Sequence, residues 1–97
     1  MISELRRYPF LGPMIEGAPD ELGVYLLWEG EEVTYIGTAR SIRTRLQDHL
    51  SGRDHCSCNP THYSWKLARF PSVLESELLA EYRYKFKADP RCNRTAA

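Results

Sequence analysis

The sequence has little of what marks membrane, secreted and disulfide-rich proteins. Only three of its 97 residues are cysteine, and an odd, sparse set makes a poor framework for disulfide bonds. No segment approaches the run of about 20 apolar residues that a transmembrane helix needs. Charged residues interrupt positions 1 to 17, so the apolar stretch of a signal peptide is absent there. We therefore predict one small domain that works inside the cell, in the cytoplasm.

The few cysteines leave one alternative open. A set of one imidazole and three thiols, which can hold zinc in a tetrahedral site, is formed by His55, Cys56, Cys58 and Cys92. Only one residue separates Cys56 from Cys58, whereas about two to four residues separate the paired ligands of most zinc sites. Reduced, unligated thiols are the simpler expectation, and metal binding by these residues stays an open alternative.

The chain also lacks a net charge, but its charges are unevenly distributed. Positions 1 to 32 carry seven acidic residues and two arginines, whereas positions 33 to 97 carry eleven basic and six acidic residues. A polyanion responds to the local field of the surface that it meets. A neutral total therefore does not exclude a nucleic-acid partner.

Hydrophobic patterns predict two strands, a helix and a third strand. The segments GVYLLW, from 23 to 28, and VTYIG, from 33 to 37, are rich in β-branched, aromatic and aliphatic residues and predict a hairpin. Apolar residues then recur every four positions up to a glycine at 52, which predicts a helix from about 40 to 51. The segment THYSWKLARF, from 61 to 70, alternates as a half-buried strand does.

A second helix is predicted near the end of the chain. Ser72 and Glu75 have the spacing of a capping box, and Leu74, Leu78, Tyr82 and Phe86 repeat every four residues after it. Positions 1 to 21, with three prolines and two glycines, predict an irregular lead-in with at most a short helical turn. Residues 22 to 97 then form the domain, of the α+β class, in the order β-β-α-β-α.

Several short motifs at characteristic positions resemble those of a known family. GVY at 23 to 25 and YIG at 35 to 37 are followed by Arg45, by a helix that contains Glu81, and by PRCN. In this combination the chain resembles the GIY-YIG nuclease domain from about residue 22 to residue 93. The resemblance implies a small three-stranded antiparallel sheet flanked by helices. It also implies a metal-dependent endonuclease that hydrolyses DNA phosphodiester bonds, as in DNA repair or recombination.

The resemblance also implies a set of catalytic residues. Tyr25, Tyr35 and His49 would orient and deprotonate the attacking water: nearby positive charge would lower the pKa of the tyrosines, and the ordinary pKa of His49 is near neutrality. Arg45 would neutralise the charge that develops at phosphorus. Glu81 would hold one divalent cation, Mg²⁺ or Mn²⁺, through a hard oxygen ligand. Without the resemblance, the simpler expectation is that the two tyrosines are ordinary strand aromatics and that Arg45 and His49 are surface residues. Glu81 would then be a boundary residue that pairs with a lysine four residues later.

The other carboxylates of the same helix are alternatives for the metal ligand. Glu75 is expected to be used in the capping box, and Glu77 is expected to point further from the apolar row. Glu81 lies at the edge of that row, between Leu74 and Leu78 on a helical wheel. Glu81 is therefore the predicted ligand.

The two tyrosines set a geometric condition on the hairpin. Side chains alternate along a strand, so Tyr25 and Tyr35 share a face only where paired positions sum to an even number. A plain two-residue turn would pair Trp28 with Val33 and put the tyrosines on opposite faces. We therefore predict a connection of three or five residues, or a β-bulge.

Further residues are assigned by position. Asn93 would belong to the active site by the resemblance, or else would be a turn residue after a proline. Arg40, Arg43 and Lys85 are predicted contacts to the nucleic-acid backbone. The chain departs from common family members at Thr38, where a lysine often follows YIG, and at Cys92, where an aromatic residue is often found.

Two other functional classes remain open at this point. One is a non-catalytic nucleic-acid-binding module of the same fold, and the other is a small protein-interaction domain that uses the acidic front of the chain and the polar loop from 51 to 61. Additional backbone affinity for DNA would come from the basic residues Arg83, Lys85, Lys87, Arg91 and Arg94.

Overall fold

A computed structural model describes residues 1–52 and 59–94. Its centre is a four-stranded antiparallel sheet in the order β1-β4-β2-β3. The strands are β1 (Tyr8–Pro9), β2 (Gly23–Glu29), β3 (Glu32–Ala39) and β4 (His62–Leu67), and the helices are α1 (Gly12–Glu16), α2 (Ile42–Leu50) and α3 (Pro71–Phe86). The predicted α+β class and the order β-β-α-β-α are confirmed. No helix in the two described ranges has the length and apolar character to cross a membrane.

The first 21 residues are more ordered than predicted. They contain a 3₁₀ turn (Ile2–Glu4), β1 and α1. Tyr8 of β1 pairs with Tyr63 of β4, so the sheet has four strands where three were predicted. Ile15 of α1 is completely buried beneath α2. Short apolar segments between prolines carry too little periodicity to reveal such elements in advance.

The β2–β3 hairpin contains the predicted bulge. The register shifts by one residue between Leu27 and Trp28, which leaves Thr34 as the extra residue of β3. Thr34 is buried, and its hydroxyl donates to the carbonyl oxygen of Leu27 at 3.3 Å. Because of this shift, Tyr25 and Tyr35 lie on the same face of the sheet.

The sheet is covered on both faces, and each face has its own apolar core. Helix α3 covers the face formed by Val24, Leu26, Trp28, Val33 and Ile36. Helices α1 and α2 cover the other face, where Tyr25, Leu27 and Tyr63 pack against Ile15, Ile42 and Leu46. The two family tyrosines therefore lie beneath α2, on the face opposite α3.

The two long helices begin in different ways. Ser41 caps α2 by accepting a hydrogen bond from the amide of Thr44 at 3.2 Å. Phe70 is the cap residue of α3 and forms no side-chain capping bond. The predicted capping box is wrong, because Pro71 takes the first helical position and Glu75 then lies in the second turn, too far along to cap.

Cys92 is disulfide-bonded and buried, so the expectation of reduced thiols is wrong at this position. The zinc alternative also named His55, Cys56 and Cys58, which lie outside the described residues. Within residues 1–52 and 59–94 there is no group of three or more side chains that could hold a metal ion.

Candidate active site

Three aromatic rings, two from the sheet and one from α2, meet between the sheet and α2. The ring centroids of Tyr25 and Tyr35 are 5.8 Å apart, and the His49 ring lies 5.4 Å from the first and 5.7 Å from the second. The phenolic oxygen of Tyr25 is 2.8 Å from Nε2 of His49, which is a hydrogen-bonding distance. Tyr25 is completely buried, whereas Tyr35 and His49 are partly exposed. The structure thus brings together three of the residues that the sequence had singled out.

Gly37 makes room for this cluster. It pairs with Tyr25 across the hairpin, and both tyrosine rings lie over its backbone. A Cβ atom at this position would lie 2.6 Å from Cε2 of Tyr35 and 3.1 Å from the phenolic oxygen of Tyr25. Only glycine leaves both rings where they are.

The surroundings of Tyr25 disfavour its ionisation, whereas those of Arg45 keep it charged. Burial raises the pKa of Tyr25 well above its ordinary value, and the nearby Tyr35 phenol adds to the rise, while Arg45 opposes it. Burial alone would lower the pKa of Arg45, but its contacts with Tyr25 and Asp48 outweigh this and raise the pKa. Near neutral pH, Tyr25 therefore stays protonated and Arg45 stays charged. The predicted lowering of the tyrosine pKa is wrong for Tyr25, because burial outweighs the nearby charge.

Arg45 connects the ring cluster to an open cleft. The cleft has a volume of about 470 Å³ and lies where the N-terminal ends of α2 and α3 approach the end of β3. Its walls are formed by Leu22, Thr38, Ala39, Arg40, Ser41, Thr44, Arg45, Pro71 and Ser72. Arg40 and Arg45 give this cleft positive charge, which favours a phosphate group. The first amides of α2 are already bonded to the carbonyls of Glu21 and Pro19 and to the Ser41 hydroxyl, so the arginines are the donors that the cleft offers.

Glu81 lies away from the cleft, contrary to the prediction. Its carboxylate accepts hydrogen bonds from the amide of Ile2 at 3.0 Å and from the amino group of Met1 at 3.3 Å. It borders a different cavity of about 790 Å³, which Lys85 also lines. The prediction that Glu81 meets the tyrosines therefore fails, and the backbone contact predicted for Lys85 also lies away from the cleft.

Glu75 is the first carboxylate along α3, one helical turn after the two residues of α3 that line the cleft. It follows Pro71 by four residues and Ser72 by three, so it shares their side of the helix. It is half-buried and has no hydrogen-bond or ion-pair partner in the described part of the chain. Burial raises the pKa of its carboxyl group. The capping role predicted for Glu75 is ruled out, because Pro71 occupies the first helical position.

The remaining predicted residues fall into two groups. Arg40 is exposed in the cleft wall, as a contact to a nucleic-acid backbone requires. Nε of Arg43 instead donates to the carbonyl of Ala18 at 2.8 Å and fixes α2 to the loop between α1 and β2. The side-chain amide of Asn93 donates to the carbonyl of Ile36 and accepts from its amide, both at 2.9 Å. Asn93 therefore holds β3 at Ile36, between Tyr35 and Gly37. Its place is that of a positioning residue.

Comparison with known proteins identifies the family of the chain. The family model of the GIY-YIG catalytic domain matches residues 21–93. The UvrABC system protein C of Aquifex aeolicus is 30% identical over 82 residues, which cover 75% of this chain and 14% of that protein. The protein of the same name from Fervidobacterium nodosum is 39% identical over 82 residues, which cover 77% and 15%. The chain thus spans about one seventh of these relatives.

Solved structures show the same fold. The GIY-YIG N-terminal endonuclease domain of UvrC from Thermotoga maritima, a point mutant bound to its catalytic divalent cation, superposes with a TM-score of 0.58. The identity is 24%, over 73% of this chain and 87% of that one. The same domain bound to magnesium gives a TM-score of 0.55 and 23% identity, over 75% of this chain and 94% of that one. This chain belongs to the GIY-YIG catalytic domain family, which confirms the family predicted from its sequence.

Proposed function

We propose that the chain hydrolyses DNA phosphodiester bonds with a single divalent cation, Mg²⁺ or Mn²⁺. The observation that carries the proposal is the position of Arg45, which contacts the buried ring cluster and lines the open cleft. A phosphate in that cleft would lie next to the Arg45 guanidinium, which bonds Asp48 through Nη1 at 3.3 Å and carries further N–H donors for phosphate oxygens. This arrangement suits the stabilisation of charge at phosphorus.

We assign the cation to Glu75 rather than to Glu81. The Glu75 carboxylate has no partner within residues 1–52 and 59–94, and burial penalises its negative charge, so a cation would relieve a cost that the folded chain already carries. The Glu81 carboxylate is already used by Met1 and Ile2. A single protein carboxylate fits Mg²⁺, because this ion keeps several of its own water ligands. When bound, the cation would supply positive charge to the phosphate and to the leaving oxygen.

The protein side chains then divide the remaining work. Tyr25 stays protonated and holds the His49 ring through the bond at 2.8 Å. The proton of the attacking water passes through the partly exposed hydroxyl of Tyr35 to the His49 imidazole. The imidazolium that forms donates through Nε2 to the phenolic oxygen of Tyr25. The water oxygen bonds to phosphorus as the bond to the leaving oxygen breaks, and Arg45 neutralises the added negative charge. Arg40 contributes a contact to the DNA backbone that is independent of sequence.

The test is nicking of supercoiled plasmid with Mg²⁺ or with a chelator, comparing the wild type with Glu75→Gln and Glu81→Gln. We expect cleavage that requires the cation, a loss of at least about 100-fold for Glu75→Gln, and a change of less than about threefold for Glu81→Gln. The two variants are matched, because they remove one charge each from the same helix.

Other outcomes would change the assignment. A large loss for Glu81→Gln with none for Glu75→Gln would restore the prediction made from the sequence. If the wild type bound plasmid, branched and single-stranded DNA but cut none of them, the chain would be a binding module of the same fold and the proposed hydrolysis would be wrong.

A further inference from the structure

An exposed apolar cluster borders the cleft on the side of α3. It consists of Leu22, Leu67, Phe70 and Val73, with exposed fractions of 41%, 43%, 69% and 60%. Phe70 and Val73 are one helical turn apart, and the amide of Ala68 ties the end of β4 to the carbonyl of Leu22 at 3.3 Å. Leu22 and Pro71, the residue after Phe70, are themselves in the cleft wall. The cluster is therefore continuous with the proposed phosphate site.

Phe70 is exposed but rigidly placed. Its carbonyl accepts hydrogen bonds from the amides of Val73 at 3.1 Å and Leu74 at 3.4 Å, as the cap residue of α3. Ala68, two residues earlier, packs against the core on the α3 face of the sheet. Exposed apolar residues that lie together, unlike single ones, are a common mark of a binding surface. The fixed backbone of Phe70 means that little order is lost when a partner binds.

The surroundings of Phe70 indicate what that partner is. Arg69 is exposed next to it, and Arg40 and Arg45 line the adjoining cleft, so a nucleic-acid strand can follow the positive side chains past the ring. Bases in an intact duplex are stacked on one another and offer no free face to a side chain. An aromatic ring beside a phosphate site is the arrangement by which proteins stack on the bases of single strands.

We propose that Phe70 stacks on an unpaired base next to the phosphate held in the cleft, so that the substrate is DNA with locally unpaired nucleotides. This inference rests on the proposed function, since it places DNA in the cleft, and it adds the class of DNA. Leu22 and Val73 would then border the base on the sides that the ring leaves open.

The test uses two 2-aminopurine duplexes, one with the probe in a single unpaired position and one fully paired, with Ca²⁺ in place of Mg²⁺. We expect Phe70→Ala to weaken binding of the unpaired duplex by about 5- to 100-fold and to abolish the quenching of the probe. Phe70→Trp should retain both. The matched control is Tyr84→Ala, which removes another aromatic ring of α3, 83% exposed, and should change neither.

Equal binding of the unpaired duplex by Phe70→Ala and Tyr84→Ala would overturn the inference. So would an equal weakening of the paired and unpaired duplexes by Phe70→Ala, since this would show a contact that does not detect the free base. Plasmid nicking by the same proteins separates the two proposals. A wild type that nicks plasmid while Phe70→Ala binds normally refutes only the stacking, whereas a wild type that quenches the probe but never nicks refutes only the hydrolysis.

Discussion

Replacement of Gly37 by alanine should damage activity far more than it damages stability. The new Cβ would lie 2.6 Å from Cε2 of Tyr35, against about 3.4 Å for an ordinary contact, so the ring has to move by about 0.8 Å. Overpacking of this kind costs about 1–3 kcal/mol. A domain with a typical stability of about 5–15 kcal/mol would still be folded. A displacement of about 1 Å in a reacting group can cost about 100-fold in rate.

The assay is plasmid nicking by Gly37→Ala, beside urea unfolding of the same protein. Gly30→Ala is the control, because Gly30 has a φ of +64° and open space around it, so alanine there costs about 1–2 kcal/mol without touching the rings. We expect a 10- to 100-fold loss for Gly37→Ala and a loss of less than about twofold for Gly30→Ala. Equal activities in the two variants would refute the role given to the ring cluster.

Three further outcomes are expected. Tyr25→Phe removes the hydroxyl next to His49 Nε2 and should lower nicking about 10- to 100-fold, with urea unfolding shifted by no more than about 1–3 kcal/mol. Asn93→Leu removes both hydrogen bonds to Ile36 and should destabilise the fold by about 2–4 kcal/mol in urea unfolding. Burial raises the folded-state pKa of Glu75 above its ordinary value of 4.5, so the cost of ionising it is present above the raised pKa and absent below 4.5. Without metal, Glu75→Gln should therefore unfold at higher urea than the wild type at pH 8 and not at pH 4, and Mg²⁺ affinity of the wild type should fall as pH falls through the raised pKa.

Much of the site could be predicted because local rules determine it. Side chains alternate along a strand, so Tyr25 and Tyr35 could share a face only with a three- or five-residue connection or a bulge. The spacing of four residues put Arg45 and His49 on one side of α2, and the structure has both next to Tyr25. These relations depend on neighbours in sequence or across one hairpin.

The position of the metal ligand could not be predicted in the same way. A helical wheel shows which side of α3 a carboxylate faces, but Glu75 and Glu81 both lie near the buried row. Six residues separate them by about 9 Å along the helix and by about 120° around it, so they flank that row on opposite sides. The cleft meets only the first turn of α3, and that follows from how the end of β3 and the start of α2 pack. The pKa of Tyr25 likewise depends on burial beneath α1 and α2, which single residues do not reveal.

The central claim is that a divalent cation and a phosphate meet in the cleft between the N-terminal ends of α2 and α3. The most direct test is paramagnetic broadening of backbone amide signals when Mn²⁺ is added to the labelled protein. We expect the signals of residues 38–41 and 72–76 to broaden first, those of residues 2–5 and 81–85 to persist, and Glu75→Gln to remove the effect. Broadening centred on Ile2 and Glu81 that survives in Glu75→Gln would contradict the claim.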